Sequence, residues 1–123
     1  MKLWAFSLSL AVKDIAASQK FYEALWFVVF HGNIEQKRLM MKNGNAVIGL
    51  FQWMFEKNII TFNPGRDNSG NNLEERNDVR VIQEHLKSHW ISLTKQADVL
   101  TEWPEYITLT DPDGNDVLID QHR

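Results

Sequence analysis

Residues 6–27 read FSLSLAVKDIAASQKFYEALWF, and this stretch contains two different periodicities. Between Phe6 and Val12, apolar residues alternate with small or polar ones, which is the pattern of a strand with one buried face. Asp14 is suited to cap a helix, and the residues after it form an apolar stripe at helical spacing. The stretch therefore predicts a strand followed directly by a helix over residues 15–25.

After this helix, short apolar segments separated by turn residues predict three more strands. These strands lie at residues 27–31, 36–42 and 46–52, with turns at Gly32-Asn33 and Asn43-Gly44-Asn45. The first half of the chain therefore reads β-α-β-β-β.

The second half repeats this order. A strand is predicted at residues 59–62, then a helix from Asp78 to Trp90, then strands at 91–94, 106–110 and 116–121, with a weak strand around Val99. The last two strands are joined by the turn Asp-Pro-Asp-Gly-Asn. The polar loop over residues 63–77 is long for a compact domain, and we expect it to be mobile or functional. Two similar halves predict a duplicated module within one domain, with module 1 at about 1–55 and module 2 at about 56–123.

Composition removes several classes of function. The chain has no cysteine, which excludes disulfide scaffolds, Cys-ligated metal sites and thiol catalysis. A net charge of -3 argues against a nucleic-acid partner, and no apolar run is long enough for a membrane span. Ser7 and Ser9 interrupt the apolar start at every second position, which favours a strand over a signal peptide. We expect a cytoplasmic protein.

Alternation along the strands assigns one face to the helices and the other to a cleft. The helix-facing set is Leu8, Leu10, Ile48, Leu50, Ile107, Leu109, Val117 and Ile119. The opposite face is small and polar with a few aromatic members, which suits a cleft for a small organic molecule. The predicted ligand-binding residues are Ser7, Ser9, Gly49, Phe51, Trp53, Ile60, Phe62, Trp103, Tyr106, Thr108, Leu118 and Asp120.

The chain resembles the glyoxalase, bleomycin-resistance and extradiol-dioxygenase superfamily, the vicinal oxygen chelate proteins. The resemblance rests on the opening strand and helix, with Asp14 and Phe21-Tyr22, and on the closing hairpin TLTDPDGNDVLIDQH. It implies an α+β fold in which two βαβββ modules form a curved mixed sheet around a cleft. It also implies a homodimer.

In the metal-dependent members of that superfamily, four strand positions carry His or Glu ligands for a divalent ion. By the resemblance, these positions are Ser7, Gly49, Ile60 (or its neighbour Thr61) and Leu118. Gly, Ile and Leu side chains have no donor atom, so we expect no metal and no cofactor. The bleomycin-resistance branch binds its ligand without a metal, and we expect this chain to do the same.

Other residues leave alternatives open. An enzyme of the lyase, isomerase or dioxygenase type remains the second hypothesis, with a displaced metal site that uses His31, Asp120 or His122. Asp120 is the one candidate for a catalytic base. His85 and His89 are four residues apart on the second predicted helix, and we interpret them as surface residues. A dimeric interaction module without a ligand is the third hypothesis.

Tryptophan is unusually frequent, with five residues. Trp26, Trp53, Trp90 and Trp103 stand at turn-like places where a small residue is expected, and Trp26 follows a helix where glycine is favoured. Stacking of Trp53 and Trp103 on a flat ligand, packing in a dimer interface, and a divergent or engineered chain are three hypotheses for this pattern.

Overall fold

The computed structural model describes residues 2–74 and 77–121. The protein has an α+β fold with seven strands and two α-helices in this part of the chain. The elements are β1 (Ala5–Val12), α1 (Ile15–Ala24), β2 (Val28–Asn33), a short 3-10 turn (Ile34–Gln36), β3 (Arg38–Asn43), β4 (Ala46–Gln52), β5 (Ile59–Asn63), α2 (Val79–Ser88), β6 (Tyr106–Thr110) and β7 (Asp116–Asp120).

The chain divides into two compact units. The N-terminal unit is Ser7–Ile59, and the C-terminal unit combines Met1–Phe6 with Ile60–Arg123. In the N-terminal unit the strand order is β2-β3-β4-β1. The pairs β2·β3 and β3·β4 are antiparallel, whereas β1 and β4 are parallel. In the C-terminal unit the order is β5-β7-β6, with β6 and β7 antiparallel. The strands are therefore of mixed direction, as expected.

Each unit has its own buried core. The cores are Ile15, Leu39, Met41, Ile48 and Leu50 in the N-terminal unit, and Val79, Ile82, Ala97, Ile107 and Ile119 in the C-terminal unit. The eight residues predicted to face the helices all belong to one of these cores or pack against it. This part of the prediction is confirmed, because strict alternation leaves only one face of each strand to bury.

Both α-helices begin in the same way. Asp14 caps α1 by accepting a hydrogen bond from the Ala17 amide at 3.2 Å. A buried glutamine then satisfies the first amide of the helix: Gln52 Oε1 accepts from Ile15 N at 2.9 Å. In the C-terminal unit, Asp78 accepts from Arg80 N at 2.8 Å, and Gln121 Oε1 accepts from Val79 N at 2.6 Å. The free amides at a helix start would otherwise be buried without a partner.

Two parts of the predicted strand pattern are wrong. Residues 91–94 and the segment around Val99 form no strand; only an isolated bridge joins Lys95 to Thr108. The Arg80 guanidinium binds the carbonyl oxygens of Asp98 and Trp103, each at 2.7 Å, so these groups are engaged outside any strand ladder. The module around α2 therefore reads β-α-β-β over the described residues.

The predicted turn at Gly32-Asn33 is also wrong. Both residues belong to β2, and the chain reverses at the 3-10 turn, where Asn33 Oδ1 accepts from Glu35 N at 2.8 Å. The register of β2 against β3 shifts between Val29 and His31. Gly32 has a φ of +94°, and a Cβ there would lie 2.7 Å from the Arg38 carbonyl oxygen. Glycine is thus required inside this irregular strand.

The described part of the long polar loop is ordered by Asp67. Its Oδ1 accepts from Ser69 N and Asn71 N, each at 2.9 Å, and Asn71 Nδ2 donates to Oδ2. Asp111 makes the same three bonds in the β6–β7 hairpin, with Asp113 and Asn115. The hydrogen bonds from Asn115 hold the pKa of Asp111 below its ordinary value. Asp-x-x-Gly-Asn therefore builds both turns.

Within the described residues, no helix has the length and apolar character needed to cross a membrane.

Replacing Gln52 by Met keeps the side-chain length but removes the acceptor for Ile15 N. We expect the free energy of unfolding to fall by about 1–3 kcal/mol, since a buried amide loses its partner. Urea unfolding followed by circular dichroism measures this change. Gln36→Met, at an exposed position of the 3-10 turn, is the control and should change stability by less than about 0.5 kcal/mol. Equal effects of the two substitutions would contradict the capping role.

Candidate functional site

A surface pocket of about 390 Å³ lies in the C-terminal unit. Its walls come from the segment after β5, from the start of β6 and from the end of β7. The lining residues are Arg66, Pro104, Glu105, Tyr106, Asp120 and Gln121. Tyr106 and Asp120 are two of the residues predicted to bind a ligand.

Strand register explains why Tyr106 and Asp120 meet. They stand directly opposite each other in the β6–β7 ladder, and Thr108 stands opposite Leu118 on the same face. Directly opposed residues of an antiparallel pair share a face. Ile107 and Ile119 occupy the other face and are buried in the core. The pocket therefore lies at the end of this hairpin away from its turn, where Tyr106 and Asp120 meet.

Arg66 was not among the predicted residues. The turn Asn63-Pro64-Gly65 leads into it, with Asn63 Oδ1 accepting from Gly65 N at 3.1 Å. The Arg66 carbonyl accepts from Ala5 N at 3.0 Å, which fixes its backbone. Its Nη1 makes only a long contact of 3.5 Å with the Gly70 carbonyl. Its Nε is buried and has no hydrogen-bond partner among the described residues.

An unpaired buried guanidinium N–H is costly because it has lost its water without gaining an acceptor. A carboxylate or phosphate is the group that guanidinium binds best. Because Arg66 lines the pocket, its guanidinium is the group there that suits an anionic ligand.

The acidic residues of the pocket differ in their surroundings. Lys95 Nζ bonds Glu105 Oε1, donates to the Tyr106 carbonyl at 3.0 Å, and lies 3.9 Å from the centre of the Tyr106 ring. Glu105 also accepts from the amides of Asp98 and Tyr106. The Lys95 hydrogen bond, helped by these amides, lowers the pKa of Glu105 to about 2. The charge of Glu105 is thus offset by Lys95. Asp120, the second acidic residue of the pocket, also takes part in an interaction within the protein.

The remaining predicted residues of the C-terminal unit do not line this pocket. Phe62 packs against the core beneath α2 and against the ring of Phe6, with ring centres 5.4 Å apart. Ile60 is half-buried in β5. Trp103 is 76% exposed.

In the N-terminal unit, the predicted residues meet along β1 and β4. Ser9 pairs with Gly49 in the parallel ladder, and Ser9 is buried. The ring of Phe51 covers Gly49: a Cβ at Gly49 would lie 2.4 Å from it. Ser7 is half-buried, and Trp53 is 80% exposed. A second pocket of about 420 Å³ lies beside α1, and Ser7, Ser9, Gly49 and Phe51 are not among its lining residues.

The residues at the superfamily's metal positions do not fit a metal ion. Gly49, Ile60 and Leu118 have no side-chain donor. Across residues 2–74 and 77–121, no three His, Asp or Glu residues cluster in a way that could hold a metal. His31, His85 and His89 are exposed. His122, part of the predicted displaced site, lies outside the described residues.

The chain has the fold of the vicinal oxygen chelate superfamily, as the resemblance predicted. A glyoxalase/bleomycin resistance protein/dioxygenase superfamily member from Vibrio splendidus 12B01 matches with a TM-score of 0.65 and 14% identity, over 94% of this chain and 97% of that one. Methylmalonyl-CoA epimerase from Streptomyces coelicolor matches with a TM-score of 0.64 and 16% identity, over 98% and 99%.

A structure named NAD-dependent benzaldehyde dehydrogenase from Legionella pneumophila also matches, with a TM-score of 0.69 and 17% identity, over 96% of this chain and 99% of that one. No protein-family model and no curated protein sequence matches the chain. At these identities the similarity establishes the fold, and the function has to be argued from the pocket.

Lys95→Met should raise the pKa of Glu105 from about 2 toward the ordinary glutamate value of 4.5, because the hydrogen bond from Lys95 is the main reason that this pKa is low. The stabilisation from this contact is complete above about pH 4.5 and disappears as the pH falls toward 2. Titration of the Glu105 side-chain carboxyl by NMR measures the pKa. Lys87→Met, on the exposed side of α2, is the control. An unchanged Glu105 titration in Lys95→Met would contradict this assignment.

Proposed function

We propose that the protein binds a small organic molecule with an anionic group in the Arg66 pocket, and that it does so without a metal ion. The observation that carries this proposal is that Arg66 lines the pocket while its guanidinium has weak contacts within the protein: Nη1 makes a long contact of 3.5 Å, and Nε has no hydrogen-bond partner in the described part of the chain. A ligand carboxylate or phosphate in the pocket would supply a strong acceptor for this guanidinium through a charge-assisted hydrogen bond.

The other walls suit the rest of such a ligand. Tyr106, 43% exposed, offers an aromatic surface on which a flat or apolar group can pack. Asp120 lies across the ladder from Tyr106 and can accept a hydrogen bond from a donor on the ligand. An aromatic or short-chain carboxylic acid therefore fits the pocket chemistry better than a neutral molecule or a cation.

The four positions where the superfamily's metal-dependent members place ligands support a metal-free site. Here they hold Ser7, Gly49, Ile60 and Leu118, which together cannot coordinate an ion. The protein would then sequester its ligand and perform no metal-assisted reaction.

An isomerase is the second candidate, favoured by one observation: a carboxylate, Asp120, lines the same pocket as Arg66. A carboxylate beside a bound acid can remove a proton from a carbon next to the acid group. Several of the structures with a similar fold are methylmalonyl-CoA epimerases. In that case the protein should exchange the acidic proton of methylmalonyl-CoA with deuterium in heavy water, and Asp120→Asn should abolish the exchange. Binding without exchange favours the first proposal.

Arg66→Met should weaken the binding of benzoate about 10- to 150-fold, which corresponds to the loss of one charge-assisted hydrogen bond. Isothermal titration calorimetry measures this effect, with phosphate and methylmalonyl-CoA as further probes and neutral benzamide as the uncharged analogue. Arg38→Met, at an exposed position of β3, should bind like the parent chain. The proposal fails if none of the three anions binds, or if Arg66→Met binds benzoate as tightly as the parent.

Elemental analysis of protein purified without chelator should find no stoichiometric divalent ion. The reason is that the four implied metal positions supply no donor set. One bound transition metal per chain would overturn the metal-free proposal while leaving the benzoate measurement as a separate test of the pocket.

A further inference from the structure

Four of the five tryptophans have a backbone conformation that normally selects glycine. Their φ angles are +58° at Trp4, +66° at Trp26, +63° at Trp53 and +62° at Trp90. Lys37 is the one other non-glycine residue with positive φ in the described chain. Only about a few per cent of non-glycine residues adopt positive φ, and Asn, Asp and His are enriched among them. None of the asparagines of this chain is in the group.

The C-terminal ends of the two helices show most clearly why a left-handed backbone conformation is required at positions 26 and 90. After α1, Trp26 N donates to the Glu23 carbonyl and Phe27 N to the Tyr22 carbonyl, each at 3.0 Å. After α2, Trp90 N donates to the Lys87 carbonyl at 3.0 Å, and Ile91 N to the Leu86 carbonyl at 3.1 Å. This pair of bonds defines a Schellman motif, whose left-handed residue is usually glycine. Both helices therefore place tryptophan at the motif's glycine position.

Packing of the indole rings does not compensate for the cost of the left-handed backbone conformation at these four tryptophans. Trp26 and Trp53 are each 80% exposed, and Trp90 is 94% exposed, so the large rings gain little by burial. Trp4 has a buried indole Nε1 with no hydrogen-bond partner among the described residues. An indole N–H that is removed from water normally finds an acceptor.

Glycine itself is used in this chain at equivalent places. Gly32, Gly44, Gly70 and Gly114 all have positive φ. The chain has six glycines among 123 residues, fewer than the roughly 7% that is average for proteins. Tryptophan stands at positions that favour glycine, and the chain as a whole has few glycines. One explanation covers both observations.

We propose that glycine occupies positions 4, 26, 53 and 90 in the protein as its own cell makes it, because a codon read here as tryptophan is decoded there as glycine. None of these four positions lines the Arg66 pocket. The proposal replaces stacking or interface packing as the explanation of Trp26, Trp53 and Trp90.

Peptide mass spectrometry of the protein isolated from its source cells is the deciding experiment. Two tryptic peptides, residues 21–37 with position 26 and residues 88–95 with position 90, should each be lighter by the mass difference between tryptophan and glycine. Tryptophan in either peptide would overturn the proposal.

Recombinant variants test the conformational basis separately. Trp26→Gly and Trp90→Gly should each raise the melting temperature by roughly 2–8 °C, because glycine adopts the left-handed conformation without steric cost. Trp26→Ala and Trp90→Ala keep the steric cost of the left-handed conformation and should raise the melting temperature less. Trp103→Gly, at a position without positive φ, is the matched control and should not raise it. A lower melting temperature in both glycine variants would also overturn the proposal.

Discussion

The start of each helix is held by a glutamine from the end of a distant strand. Gln52 reaches Ile15 N across 37 residues of sequence, and Gln121 reaches Val79 N across 42. Both glutamines are buried, so each hydrogen bond forms away from water and replaces one that the amide would otherwise lose. Each helix has only ten residues, too few to be stable alone. The position of each helix on its strands therefore depends on this contact together with the apolar core.

Local patterns in the sequence were sufficient to predict most of the fold. Alternation in β1, β4, β6 and β7 identifies the buried faces, because a strand has only two faces and the apolar residues occupy one. The Asp14 and Asp78 caps can also be predicted from the sequence, because a capping residue acts on backbone amides within three residues of itself. The 91–94 segment misled because an apolar alternating run predicts a strand only if its backbone groups are free to pair. Here the Ile91 amide donates to the Leu86 carbonyl at the end of α2, and pairing with Thr108 begins only at Thr94 and Lys95.

The candidate site was predictable in part. Tyr106 and Asp120 come from alternation within one hairpin, where register follows from the turn. Arg66 belongs to a polar loop without periodicity, and its importance lies in a missing contact, which no sequence pattern reports. One signal in that loop was available: the Asp67 turn repeats the Asp-x-x-Gly-Asn pattern of the Asp111 hairpin. That repetition indicates a hydrogen-bonded turn beside Arg66, within the loop whose length predicts that it is mobile or functional.

The irregular strand β2 has a consequence for association between chains. It is the outermost strand of the N-terminal unit, and it carries the exposed apolar residues Val28 and Val29. An apolar edge of this kind is a template onto which another chain can add a strand. The register shift between Val29 and His31 interrupts the regular spacing of backbone donors and acceptors. This irregularity thus protects the edge against uncontrolled sheet extension, and a regular β2 would make the protein more prone to aggregate.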